Sequence, residues 1–141
     1  MQITVTYQNN SKKTIELPEG SQELTRDVFG AEALEHVSRI SIPNGILTIN
    51  DHVFTGCTNL SSIDLPTSLT HLRNHAFTHC TSLSSISLPS SLTYLRSDAF
   101  TQCTSLSSIS LPPSLTRLGD GAFYGCRSLA SISLPPSLTH S

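Results

Sequence analysis

Thiols and imidazoles are the side chains of this 141-residue chain whose chemistry is worth locating first, and both recur by rule. Cys57, Cys80, Cys103 and Cys126 stand 23 residues apart. A zinc site needs several thiolates converging on one point, whereas a fixed interval sets one thiol in each successive unit, in a line. Adjacent units bring Cα atoms to about 5 Å, within disulfide range, but parallel side chains present the wrong relative geometry. The four are therefore expected as buried, reduced thiols that fill space as small hydrophobes. His71, His75 and His79 beside Cys80 look like a ligand cluster, yet in the 23-residue register only His75 has a histidine in the adjacent unit, His52, followed by Asp98. Such a ladder could hold a transition metal weakly; solvated loop residues are the reading the register favours. No metal or cofactor is expected. A nucleophile with a base and an orienting acid cannot be placed, and the sequence has no Gly-rich phosphate loop and no H-E-x-x-H motif. The expectation is a chain that is not an enzyme.

The elements that carry these residues are one unit repeated. Phe54, Phe77, Phe100 and Phe123 lie three before the cysteines, and Leu60, Leu83, Leu106 and Leu129 three after. Pro43, Pro66, Pro89, Pro112 and Pro135 keep the same period of 23. A period in the twenties marks a solenoid, in which each unit buries its apolar face against its neighbours. Ile15-Glu16-Leu17-Pro18-Glu19-Gly20 matches Ile40-Ser41-Ile42-Pro43-Asn44-Gly45, so a diverged first unit precedes the regular ones. It runs over 15–39, carries a longer and more helical link from Gly30 to His36, and has no cysteine. Ahead of it, two alternating runs flank Gln8-Asn9-Asn10-Ser11 and read as a capping hairpin over 1–17 that leads into the first strand. Four 23-residue units follow over 40–131, then a truncated one over 132–141, all in one domain.

The unit from Leu60 to Cys80, with Ile63, Leu65, Pro66, Ser68, Leu69, Leu72, Ala76 and Phe77 at fixed places, resembles the BspA-like class of leucine-rich repeats. The resemblance covers Ile40 to the C-terminus closely and Ile15 to Ser38 loosely. It implies an α/β fold leaning to mostly β, a leucine-rich repeat solenoid of stacked parallel short strands with short helical or 3₁₀ turns. It also implies a protein-binding scaffold in adhesion or host interaction of a microbe or parasite. The alternative is the target-recognition repeats of a larger exported effector whose catalytic part lies elsewhere. Two departures stand out: the family glycine after the second leucine is Arg73 and Arg96 in two units and survives as Gly119, and the last unit stops before any Ala-Phe. The first is expected to concern a loop surface and the second to leave an apolar end.

Within one unit, Ile63 and Leu65 alternate with Ser62 and Asp64, which predicts a short strand with the apolar pair inward, stacked about 4.8 Å from the next. Equivalent strands are expected at Ile86-Leu88, Ile109-Leu111 and Ile132-Leu134, with Pro66 ending the first or lying on its outer face. Ser68, Ser91, Ser114 and Ser137 are placed to bond turn amides. Leu69 and Leu72 should return inward along another wall, and Ala76-Phe77 to Cys80 should form a tight helical or 3₁₀ turn.

The charge balance is net -2, and the 8 Lys and Arg are scattered, which excludes a basic track for nucleic acid or anionic lipid. No apolar run approaches the roughly 20 residues of a membrane span, and Met1 leads directly into an alternating segment with no secretory signal. The expected location is cytoplasmic, or exported without an N-terminal signal peptide. A protein partner of unknown identity is the expected ligand. The outward strand columns are nearly all serine and offer few anchors. The column Thr48, His71, Tyr94, Arg117, His140, with Arg73 and Arg96 two residues on, carries large side chains of the kinds enriched in binding hot spots. His71, Tyr94, Arg117, Arg73 and Arg96 are thus the candidate partner-binding stripe, on the loop side. Leu129, Ile132, Leu134 and Leu138 form an uncapped apolar end expected to self-associate.

Overall fold

The computed structural model describes residues 1–30 and 34–138. Its strands in chain order are β1 (Gln2–Tyr7), β2 (Lys12–Glu16), β3 (Glu23–Leu24), β4 (Val37–Ser41), β5 (Thr48–Ile49), β6 (Ser62–Asp64), β7 (His71–Leu72), β8 (Ser85–Ser87), β9 (Tyr94–Leu95), β10 (Ser108–Ser110) and β11 (Arg117–Leu118). The helical elements among the described residues are two 3₁₀ turns, Arg26–Phe29 and Leu34–His36, so the fold is mostly β. The long link of the first unit is helical over Leu34–His36, and part of it lies outside the described residues.

Each coil has three walls. On the first, β6 pairs parallel with β4 and β10 with β8, and Ile40 meets Ile63 as Ile86 meets Ile109. The isoleucines point inward and the serines out, because side chains alternate along a strand. These strands begin one residue earlier than expected, and Leu65, Leu88 and Leu111 are only half-buried, since the chain turns away at the following proline. The wall is also in two pieces: β8 pairs with β10 and not with β6. Ile132-Leu134 forms no strand, contrary to expectation; a coil packs it on one side alone, and Leu134 is 53% exposed.

The second wall is a parallel sheet of five two-residue strands in the order β11-β9-β7-β5-β3. Leu24, Ile49, Leu72, Leu95 and Leu118 face the core. The third wall carries the phenylalanines, and there every second backbone N–H donates to the next coil: Phe54 N to Ala76 O at 2.9 Å, Phe77 N to Ala99 O at 2.8 Å and Phe100 N to Ala122 O at 2.8 Å. The chain here makes successive tight turns and not the expected helix, because two positions per coil are left-handed. His52, His75 and Asp98 have φ of 61°, 59° and 58°, and Gly121 shares their column; His79 and Gln102, both at 63°, share theirs with Gly56 and Gly125. A left-handed residue breaks helical progression at once.

Phe54, Phe77, Phe100 and Phe123 stack at 5.3, 5.2 and 5.6 Å between ring centroids, and the first three are fully buried. Of the turn serines, expected to bond turn amides, Ser68 does so, and all four also donate to carbonyls. Ser68, Ser91, Ser114 and Ser137 donate to the carbonyls of Ile46, Leu69, Leu92 and Leu115 in the preceding coil, and Ser68 alone also accepts an amide, from Gly45. They cement coil to coil, offsetting the cost of burying those carbonyls.

The N-terminal hairpin does more than cap. β1 pairs antiparallel with both β2 and β4, so it is inserted between them, with Ile3 and Val5 fully buried. Ile15-Leu17 therefore does not stack on Ile40-Ile42; among the described residues the first unit joins the parallel stack through β3 on β5, Phe29 against Phe54 at 5.8 Å and Arg26 donating to the Val53 carbonyl at 2.7 Å.

Candidate functional site

The second wall carries the stripe. Registers Glu23↔Thr48, Thr48↔His71, His71↔Tyr94 and Arg117↔Tyr94 place one outward side chain per coil in a row, about 4.8 Å apart. These residues lie on strands and not on loops, which fixes their spacing more tightly than the sequence indicated. Glu23 was missed, because the longer first unit hides its register; matching Leu24 to Ile49 would have found it. His140 lies outside the described residues.

The stripe converges on Tyr94. The guanidinium of Arg96 lies 4.6 Å and that of Arg117 4.7 Å from its ring centroid, and the His71 ring is 6.0 Å away. Each arginine–aromatic contact contributes about 0.5–1 kcal/mol where exposed, and together they hold the ring in place. Arg73 is 3.6 Å from the Asp51 carboxylate, an ion pair too long for a hydrogen bond. Nε of Arg73 and of Arg96 is buried with no hydrogen-bond partner. Burial holds the His71 imidazole below its ordinary pKa, and Arg96 and Arg73 lower it further, all of which favours the neutral ring. Thr70 Oγ1 sits 2.9 Å from its Nδ1.

The glycine-to-arginine departure is not a matter of loop surface. At Gly119 a Cβ would fall 2.4 Å from Ser97 N, so this column packs on the backbone of the preceding coil.

The other candidates separate. His52 and His75 stack at 4.7 Å and 7°, and His75 Nε2 is 3.6 Å from Asp98 Oδ2. Their Nδ1 atoms bond Thr55 and Thr78, whose hydroxyls donate to the carbonyls of His75 and Asp98. With its hydrogen given to a carbonyl, each threonine accepts from Nδ1–H, which leaves the Nε2 lone pairs parallel and not convergent. Among the described residues no group of three such side chains is placed to hold a metal ion. His79 stands exposed and apart from His71 and His75 in role. The cysteines are buried in single file, and Cys80, Cys103 and Cys126 donate S–H to the carbonyls of Phe54, Phe77 and Phe100 at 3.0–3.1 Å. Burial raises the Cys57 thiol to about 11 and the Cys103 thiol to about 12.

Depressions lie elsewhere. One of about 340 Å³ opens between β6 and β8 and is lined by Ser62, Asp64, Ser85 and Ser87; another of about 270 Å³ lies between β8 and β10. Short hydroxyls line them together with Ile63, Leu65, Ile86 and Ile109, without an aromatic or arginine anchor, and Asp64 is already paired to Arg39 at 2.7 Å.

Six copies of the BspA type leucine-rich repeat region match residues 33–140. The chain belongs to the BspA-type leucine-rich repeat family. Family members are repeat scaffolds, typically protein-binding and generally without catalytic activity. A leucine-rich repeat protein of T. pallidum, TpLRR, is similar at 39% identity and TM-score 0.76 over 81% of this chain and 52% of its own. A Bacteroides ovatus leucine-rich repeat protein is similar at 30% identity and TM-score 0.70, over 86% and 37%. The pneumococcal vaccine antigen PcpA is similar at 25% identity and TM-score 0.63, over 91% and 33%. The chain thus spans about half or less of these relatives' lengths. No curated protein matches it. No helix among the described residues is long and apolar enough to cross a membrane.

Proposed function

We propose that this BspA-type repeat is a non-enzymatic protein-recognition module whose contact surface is the stripe His71, Tyr94, Arg117, Arg73 and Arg96. The observation that carries the reading is Tyr94, a half-buried ring held by two guanidiniums on a rigid strand wall. Aromatic and arginine side chains fixed before contact lose little entropy on binding, which is what makes a hot spot. The serine wall, by contrast, presents the same short hydroxyl in coil after coil. Adhesion or host contact of a microbe is the setting we assign to it, supported by the similarity to a pneumococcal vaccine antigen and to T. pallidum and Bacteroides proteins. Target recognition within a larger exported effector is the second reading, favoured by the chain spanning 52% of the T. pallidum relative. We also propose self-association of this chain through Leu129, Ile132, Leu134 and Leu138, of which Leu134 is 53% exposed; sedimentation should show concentration-dependent dimers that Leu134→Lys abolishes.

The test is a random-peptide display selection on the folded chain, with selected peptides titrated against two double variants. Tyr94→Ala with Arg117→Ala should weaken them by more than about 1 kcal/mol, and Ser85→Ala with Ser108→Ala should change them little. The reverse pattern in folded variants would move the surface to the serine wall.

A further inference from the structure

Resting on that reading, we propose that the stripe takes an acidic protein segment, with the carboxylates of two or three Asp or Glu residues seated on Arg96, Arg117 and Arg73. The three arginines belong to three adjacent coils, whose strands are spaced about 4.8 Å along the wall, and the guanidiniums of Arg96 and Arg117 both lie against the Tyr94 ring, at 4.6 and 4.7 Å. Among the described residues no carboxylate pairs with Arg96 or Arg117, whereas Arg39 on the serine wall has Asp64 at 2.7 Å. Arg73 shares Asp51 at 3.6 Å, and Asp51 also accepts the Asn74 amide. Arg96 and Arg117 are therefore like charges whose neutralisation is left to something else, with Arg73 beside them only loosely paired to Asp51. Guanidiniums bind carboxylates through two parallel N–H bonds, and fixing them on an aromatic face presents the fork already oriented.

Geometry also sets the partner's size and direction. The positive portion spans three coils, from β7 to β11, about 10 Å of wall, and the column becomes neutral at Thr48 and acidic at Glu23. A polyanion with charge along its whole length would need a longer basic track, and the remaining Lys and Arg are scattered over a chain of net charge -2. A short acidic stretch fits, with a neutral or basic continuation toward Glu23.

The probe is fluorescein-labelled hexaglutamate, titrated by anisotropy into the whole folded chain at about 20 and about 150 mM salt. Saturable binding that weakens with salt is expected, with labelled hexaglutamine not binding. Arg96→Gln with Arg117→Gln should weaken it by ~10-fold or more, and Arg39→Gln by less than ~2-fold. Arg96→Lys with Arg117→Lys keeps the charge and the fold while removing the forks, and should fall between. Absence of binding at about 1 mM peptide, or equal binding by the double Gln variant, would overturn the proposal. So would equally tight, equally arginine-dependent binding of dodecathymidylate or sulfated dextran, which would show charge alone at work. Display-selected peptides that need Tyr94 and Arg117 but contain no acidic residue would remove this proposal and leave the recognition surface standing. Selected peptides that ignore the stripe would remove both.

Discussion

Gly119→Ala adds one methyl group and tests how rigidly the coils are stacked. The new Cβ would lie 2.4 Å from Ser97 N, 2.5 Å from the Arg96 carbonyl carbon and 2.9 Å from Ser97 Cα. Ordinary contact needs 3.4 Å or more, so the new Cβ and the backbone facing it must separate by about 1 Å, and the atoms in the way are backbone with no rotamer to change. That movement strains the Gly119 N to Leu95 O bond, now 2.7 Å. Overpacking of this kind costs about 1–3 kcal/mol in urea unfolding at unchanged m. Gly56→Ala is the control of opposite kind: its φ is +77° and a Cβ there meets nothing within 4 Å, so it reports left-handed strain alone, about 1–2 kcal/mol. In the arginine coils the matching bonds are 2.9 Å at Arg96 and 3.0 Å at Arg73, so a side chain in this column is compatible with the inter-coil bond, and Gly119→Ala must shift its own backbone toward that setting. A Gly119→Ala cost below about 0.5 kcal/mol would show that the last coil relaxes to that setting freely, and would refute the steric argument.

Phe100→Ala should cost about 3–5 kcal/mol, since the fully buried ring stacks on Phe77 and Phe123, while half-buried Phe123→Ala should cost visibly less; equal losses in chemical unfolding would contradict the stacked file. Thiol labelling of native protein should be slow at Cys57, Cys80 and Cys103 and fast after unfolding, because burial disfavours the thiolate. The same shifts predict a pH window. Below the unfolded value of 9.0 both states hold their protons; above it the unfolded chain loses them first, so stability falls as pH rises from 9.0 toward about 11 for Cys57 and about 12 for Cys103. The slope should approach about 1.4 kcal/mol per pH unit for each thiol, and stability unchanged to about pH 10.5 would contradict it.

The stack was legible because a 23-residue period leaves few ways to bury Phe54, Phe77 and Phe100. Its three walls follow from Ile63, Leu72 and Phe77 each recurring in register. Other features were hidden for physical reasons. Insertion of β1 between β2 and β4 is a pairing choice between two similar alternating strands, and local pattern does not rank such choices. The left-handed columns were readable in principle, since Gly121 aligns with His52, His75 and Asp98, and Gly56 and Gly125 with His79 and Gln102. Histidine in those places masked the signal. The stripe's columns could be read off the repeat, but the clasp of Arg96 and Arg117 on Tyr94 depends on side-chain direction across neighbouring coils. The serine hydroxyls at Ser91 and Ser114 were assigned the wrong partner, because an amide and a carbonyl are equally near in a turn and only the inter-coil register selects the carbonyl.

Backbone amide chemical shifts followed by NMR during titration with hexaglutamate test most directly the claim that one wall of this repeat module recognises its partner. A 15.2 kDa chain suits the measurement. The account predicts shift changes concentrated at His71, Arg73, Tyr94, Arg96 and Arg117, with Ser62, Ser85 and Ser108 unmoved. Changes concentrated on those serines, or spread evenly over the surface, would contradict it.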